Sequence, residues 1–340
     1  MCGRCGEFSV RNFGCRGAVL EDFTVPRCPW PGQPASYVTY RVLIAVYQCA
    51  WNILVPFMWN DRRFFTNHTA ETVRWKWFIY ISNWSYLILS FYFIMAALSN
   101  FYHHVKVHCK CSTKDTKNDE MLYADSGPDS FQLSRDSMIL SEKCDSNVPV
   151  TEADNHPPPK MMRHISTVSG EKLISKNRKQ YYGFQTALPW YFKLTWILQS
   201  CAFSLVLIIT AMYWIIEFDS TVSEVTVFNV HVHGVALFLV VLDLFLTASP
   251  VRFFHFVYPS FVVIAYIIFT YIYYRFGGTN EYGDSYLYKD WVDWKNIETK
   301  TSIVAVCTTF VAVPVAHMLF CLLHLIRKRM FRCYEKKYIL

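Results

Sequence analysis

The apolar residues of this chain are gathered into long runs separated by polar stretches. Six runs stand out: Tyr37–Trp59, Trp77–Tyr102, Leu194–Ile216, Val225–Thr247, Phe256–Tyr274 and Ser302–Ile326. Each holds roughly 19–26 residues, enough to cross a hydrocarbon core of about 30 Å as a helix. In lipid every backbone N–H and C=O must be satisfied within the segment, so the runs are read as helices. The side chains inside them that can carry charge are read as His231, His233, Asp243, His317 and His324. The pattern predicts an all-α fold, a polytopic six-helix transmembrane bundle with a long disordered cytosolic linker.

The polar stretches divide the chain. A Cys-rich tail occupies residues 1–36 and the first two spans residues 37–104. A linker follows over 105–180, then four further spans over 181–326 and a basic tail over 327–340. The linker mixes both signs of charge with Ser, Asn, Asp and a Pro157-Pro-Pro run. Such a stretch buries too little apolar area to offset its chain entropy, so disorder is expected there.

Composition agrees: 53% of residues are hydrophobic, 18% aromatic and only 17% charged, too apolar for an ordinary soluble domain. Net charge adds an orientation. Arg327, Lys328, Arg329, Arg332, Lys336 and Lys337 lie in the C-terminal tail, and Arg4, Arg11, Arg16 and Arg27 in the N-terminal one. The loop after the third span carries Glu217, Asp219 and Glu224 and no base. Positive residues favour the cytosolic side, so both tails are expected in the cytosol, in the plasma membrane or the endoplasmic reticulum. The loop Asp61–Lys76 dissents with four basic residues, yet it holds Asn67-His-Thr, a glycosylation sequon usable only on the outer or lumenal side.

Every cysteine falls in a predicted span or cytosolic segment, which argues against a disulfide framework. Cys109, Cys111 and Cys333 sit near basic residues beside the membrane and are read as palmitoylation candidates, with unmodified thiols the plain alternative. The N-terminal cysteines fit no regular zinc spacing, so no metal is expected and no cofactor is called for.

No Walker loop, dinucleotide-binding glycine motif, nucleophile elbow or H-E-x-x-H occurs. The spans lack the polar lining of a pore, and nothing points to nucleic acid. The ionisable pair His231 and His233 is different, since such groups at membrane depth mark a site or a polar interior. If the second span starts near Trp75 and the fourth near Val225, Ser82 and His233 lie at about the same depth, roughly 10–12 Å below the outer boundary. A hydroxyl and an imidazole at one depth form a candidate nucleophile and general base. The plain alternative is a serine bonded to its own helix and a histidine linking two helices. His231 is expected to point away from His233, since residues two apart on a helix differ by about 200°, and to tolerate substitution better.

Several blocks carry a family resemblance. They are Tyr40-Arg-Val-Leu-Ile-Ala-Val-Tyr, Trp51-Asn-Ile-Leu-Val-Pro, Ile81-Ser-Asn-Trp, Pro189-Trp-Tyr and Val230-His-Val-His-Gly. Two longer ones are Ala248-Ser-Pro-Val-Arg-Phe-Phe-His-Phe-Val-Tyr-Pro and the Gly277-Gly-Thr-Asn-Glu-Tyr-Gly-Asp-Ser-Tyr segment that runs on through Trp294-Lys. Through them the chain resembles the rolling stone family, named for an insect membrane protein implicated in myoblast fusion. The resemblance covers most of the six-span region and neither the N-terminal tail nor the linker.

In span layout the chain is also similar to the androgen-induced and androgen-dependent transmembrane proteins, threonine hydrolases of fatty acid esters of hydroxy fatty acids. That likeness implies His233 as the catalytic histidine, with Asp243 ten residues on, and Ser82 in the place of the nucleophilic threonine. Serine for threonine is a departure, and so is the extra His231. Two functions follow as expectations. One is an intramembrane lipid-ester hydrolase with Ser82 and His233 catalytic and Asn83, Asn229, His231 and Asp243 in support. The other is a non-enzymatic factor in cell fusion or adhesion, meeting a protein partner through outer loops such as Phe276–Lys300. Membrane lipids surround the protein in either case.

Overall fold

The computed structural model describes residue 15 and residues 18–27, 35–60, 76–124, 188–218, 225–280, 282–288 and 291–339, with backbone alone at 57–60, 107–124, 217 and 332–339. These residues form seven helices and, among them, no strand. A one-turn helix α1 (Glu21–Thr24) precedes α2 (Ala35–Asn60) and α3 (Ile81–Ala124). Helix α4 (Trp190–Met212) runs into a π-helical turn, Tyr213–Glu217. Helix α5 begins as Val227–Val230, widens into a π turn at His231–Val235 and ends as Ala236–Leu246. Helix α6 (Val257–Arg275) follows a 3₁₀ turn, Phe253–Phe256. Helix α7 starts as Glu298–Cys307, passes a third π turn at Thr308–Ala312 and continues as Val313–Ile339.

Six of these helices are long and apolar enough to span a membrane: Ala35–Pro56, Ile81–Lys106, Trp190–Ile216, Val227–Leu246, Phe253–Arg275 and Glu298–Phe331. The chain is thus a multi-pass helical protein of the membrane class. Two boundaries differ from the sequence reading. The second span begins as an α-helix at Ile81, because Lys76–Ile79 form a separate 3₁₀ turn and the chain bends at Tyr80. Its helix also continues to Ala124, well into the stretch assigned to the linker from 105 onward. Once a helix is nucleated each added residue gains a hydrogen bond at little further cost, so polar residues can extend a span. Residues 125–187, most of the expected linker, lie outside the described residues, as do Asn67 and the side chains of Cys109, Cys111 and Cys333.

Helix α4 is the hub: 72% of its span is buried, against 28% for α2 and for α6. Phe203 on α4 packs on Tyr92 of α3 and Phe320 of α7, within a core that includes Phe93, Val206, Val240 and Leu244. Local chemistry sets the helix ends. Thr226 caps α5 by accepting from the N–H of Asn229. Helix α6 stops in a Schellman motif, with Gly277 N–H bonded to the Tyr274 carbonyl and Gly278 N–H to the Tyr273 carbonyl. Gly277 there has φ 74°, and a Cβ on Gly278 would lie 2.4 Å from the Tyr273 ring.

Two ends of the bundle can be told apart. At one, Lys76 Nζ donates to Thr279 Oγ1 (2.9 Å) and to the Asn280 carbonyl, and the Tyr266 hydroxyl donates to the Ile79 carbonyl (2.9 Å). At the other, Phe23 packs on Phe192 and Trp196, Arg27 N–H donates to the Leu246 carbonyl (2.9 Å), and Arg327 reaches the end of α5. The segment before α2 and the basic end of the last span therefore share one end. The start of α3 and the α6–α7 loop share the opposite one.

Candidate functional site

The histidine pair straddles α5. His231 sits at the first position of the π turn and faces α2 and α3: Nε2 meets the Tyr47 hydroxyl at 2.9 Å and Nδ1 the Tyr86 hydroxyl at 2.8 Å. Its ring stacks on Trp51 with centroids 3.9 Å apart. A neutral imidazole has one donor and one acceptor nitrogen, so one tyrosine donates to the ring and the other accepts from it. His233 faces the other way, onto α4. Its ring lies flat against Tyr213, with centroids 3.9 Å apart and planes 5° from parallel, and Trp214 Nε1 donates to its backbone carbonyl at 3.0 Å. The two histidines point apart as the helical period requires. His231 is nonetheless the more tightly held, so the expectation that it tolerates substitution better is not what these contacts favour.

Among the described residues five histidines are buried, and four of them have ring hydrogen bonds. Besides His231, His255 Nδ1 meets Ser200 Oγ at 3.2 Å, His317 Nδ1 meets Ser204 Oγ at 2.9 Å, and His324 Nδ1 accepts from Arg327 at 2.7 Å. Among the described residues no hydrogen bond engages the ring of His233, whose Nδ1 is fully enclosed.

Ser82 lies in the first turn of α3, partly exposed, and its carbonyl accepts from Ser85 Oγ at 2.8 Å. Starting the helix at Ile81 puts Ser82 nearer the start of its span than a count from Trp75 does. Four residues on, Tyr86 bonds His231, so Ser82 shares the face of α3 that turns toward α5. No hydrogen bond joins Ser82 to His233 in this structure. Asn83 is buried and its amide donates to the Trp77 carbonyl, closing the bend that precedes α3. Asn229 is buried at the capped start of α5.

Asp243 is not a partner of His233. It pairs with Arg41 of α2 at 2.8 Å, both side chains at most 2% exposed. Tyr40 donates to Oδ1 (2.9 Å), Tyr92 to Oδ2 (2.5 Å), and Arg41 also donates to the Tyr37 hydroxyl (2.9 Å). The charge is thereby neutralised and its lone pairs filled, as a buried carboxylate requires. Arg41 was absent from the charged residues read inside the spans. The signal was present, a lone base within an apolar run, beside Tyr40 in one of the blocks carrying the family resemblance.

The serines at 200 and 204 were also missed. One turn apart on α4, they reach His255 near the start of α6 and His317 on α7. His317 Nε2 meets the Arg252 carbonyl at 2.7 Å, so that nitrogen carries the proton and Ser204 donates to Nδ1. Ser204 and His317 are both fully buried, which fits a helix-to-helix link. Among the described residues no group of three or more His, Cys, Asp or Glu could hold a metal.

Residues 170–338 match the family model described as Protein rolling stone. Protein rolling stone of Drosophila melanogaster is 32% identical over 106 residues, which is 31% of this chain. The match spans only 38% of that relative's length. No solved structure matches. The stretch 170–338, which holds the last four spans and both histidines, belongs to the rolling stone family.

Proposed function

We propose that this protein hydrolyses long-chain acyl esters within the membrane, at the outer ends of α3 and α5. The observation that carries the reading is His233, which among the described residues is a buried imidazole with no ring hydrogen bond while every other buried histidine there has one. A base spared from structural duty is available to take a proton. Ser82, whose hydroxyl makes no hydrogen bond within the described residues, is the nucleophile. His233 rests against Tyr213 of α4, so the pair forms when the imidazole turns toward α3 as substrate binds, catalytic hydrogen bonds often being completed only in the loaded site.

In the first step Ser82 Oγ bonds the acyl carbon while its proton passes to His233, and the carbonyl electrons move onto oxygen. Collapse expels the alcohol, which takes the proton back from His233, leaving an acyl-serine. Water then repeats the sequence and releases the acid. The sum is ester plus water to acid plus alcohol.

The test is hydrolysis of a fatty-acid ester by the purified protein in lipid, with labelling by a fluorophosphonate serine probe. Ser82→Ala and His233→Ala should each abolish both signals while the protein stays folded. Full activity in Ser82→Ala, or neither signal in the wild type, sinks the reading.

A second reading, a non-enzymatic factor in cell fusion or adhesion, draws support from the α6–α7 loop. There Asn280 Oδ1 accepts from the N–H groups of Tyr282 and Asp284, and Asp293 Oδ1 from those of Lys295 and Asn296. A loop so braced suits a protein partner. Under either reading both tails are cytosolic, in the plasma membrane or endoplasmic reticulum.

A further inference from the structure

Tyr213 and His233 meet where two π turns face each other, Tyr213–Glu217 on α4 and His231–Val235 on α5. Such widened turns are rare and recur at functional sites. Here one brings an aromatic face 3.9 Å from the imidazole, 5° from parallel, and the adjacent Trp214 holds the backbone of the same histidine.

We infer that Tyr213 is a positioning residue for His233, stabilising the charge this ring acquires as it accepts the serine proton. The inference rests on the hydrolase reading above. In the familiar serine triad a carboxylate orients the histidine and stabilises its imidazolium. Among the described residues His233 has no such partner, since Asp243 is committed to Arg41 and the two tyrosines. The negative face of an aromatic ring attracts a cation within about 6 Å of its centroid. A near-parallel ring also fixes the plane of the imidazole, which a single hydrogen bond does not. The attraction grows when His233 becomes charged, so it acts on the chemical step more than on substrate binding.

The experiment replaces Tyr213 with phenylalanine and then with phenylalanines bearing one, two and three fluorines, which drain the ring face of electron density while nearly keeping its shape. Ester turnover by the purified full chain in lipid is read together with melting temperature. Tyr213→Phe should keep most of the turnover. Across the fluorinated series kcat should fall stepwise, by about tenfold in all, with KM and melting temperature unchanged. A residue that only packs would give a flat series. A flat series in an active protein, or full kcat in Tyr213→Leu, overturns the role of Tyr213 and leaves the hydrolase reading standing. A wild-type protein with no turnover overturns both.

Discussion

Arg41 on the first spanning helix and Asp243 on the fourth meet at 2.8 Å deep inside the bundle, with Tyr92 of the second bridging them: its hydroxyl accepts from Arg41 and donates to Asp243. Three helices are tied at one point by groups that none of them could bury alone. Removing one member strands the other in a low-dielectric interior.

Asp243→Asn should therefore cost about 3–5 kcal/mol, as should Arg41→Met, because each leaves an uncompensated buried charge or its unfilled partners. The double variant Arg41→Met with Asp243→Asn should cost less than the sum of the singles. Detergent melting of the four proteins closes the cycle. Strict additivity would show that the pair is not coupled.

The tether at His231 predicts a smaller, graded effect. Tyr86→Phe removes one of two ring hydrogen bonds and should destabilise by about 1 kcal/mol. His231→Phe keeps an aromatic against Trp51 but orphans both tyrosine hydroxyls, and should cost more. Comparing melting temperatures of the two variants decides the order; equal values would mean that the stack dominates.

Arg327 closes the far end of the fourth span. Its guanidinium donates to the carbonyl of Leu244, in the last turn of the helix, and to those of Thr247 (2.6 Å) and Ser249 (3.1 Å) in the chain just beyond it. Arg327→Met should cost about 1–3 kcal/mol through those unpaired groups. Arg327→Lys should recover only part of the loss, since one ammonium cannot reproduce the fork. Full recovery by lysine would reduce the contact to a charge at a helix terminus.

Topology can be read on sealed vesicles. Tags at both termini should be cut by protease from the cytosolic face, with one in the α6–α7 loop protected. The contacts that join residues 23–27 and Arg327 to a single end of the bundle require the two termini-proximal segments to behave alike. Protection of one terminus and cleavage of the other would contradict six spans.

What the sequence determined by itself was the solvent. Runs of about 20 apolar residues can only be helices in lipid, because no water is there to satisfy the backbone, and so the six spans were legible within a few residues. The separation of His231 from His233 was legible too, since it follows from helical period. Partners were not. Whether Asp243 serves His233 or Arg41, and whether Ser82 is in reach of an imidazole, depends on the rotation of each helix about its own axis. Lipid exerts little preference on that rotation, so packing against neighbours decides it. The tertiary structure gave Asp243 to Arg41, bound His231 between two tyrosines and laid His233 against Tyr213. The π turns behind that last contact leave no sequence signature, because a single residue of extra winding costs little when packing rewards it.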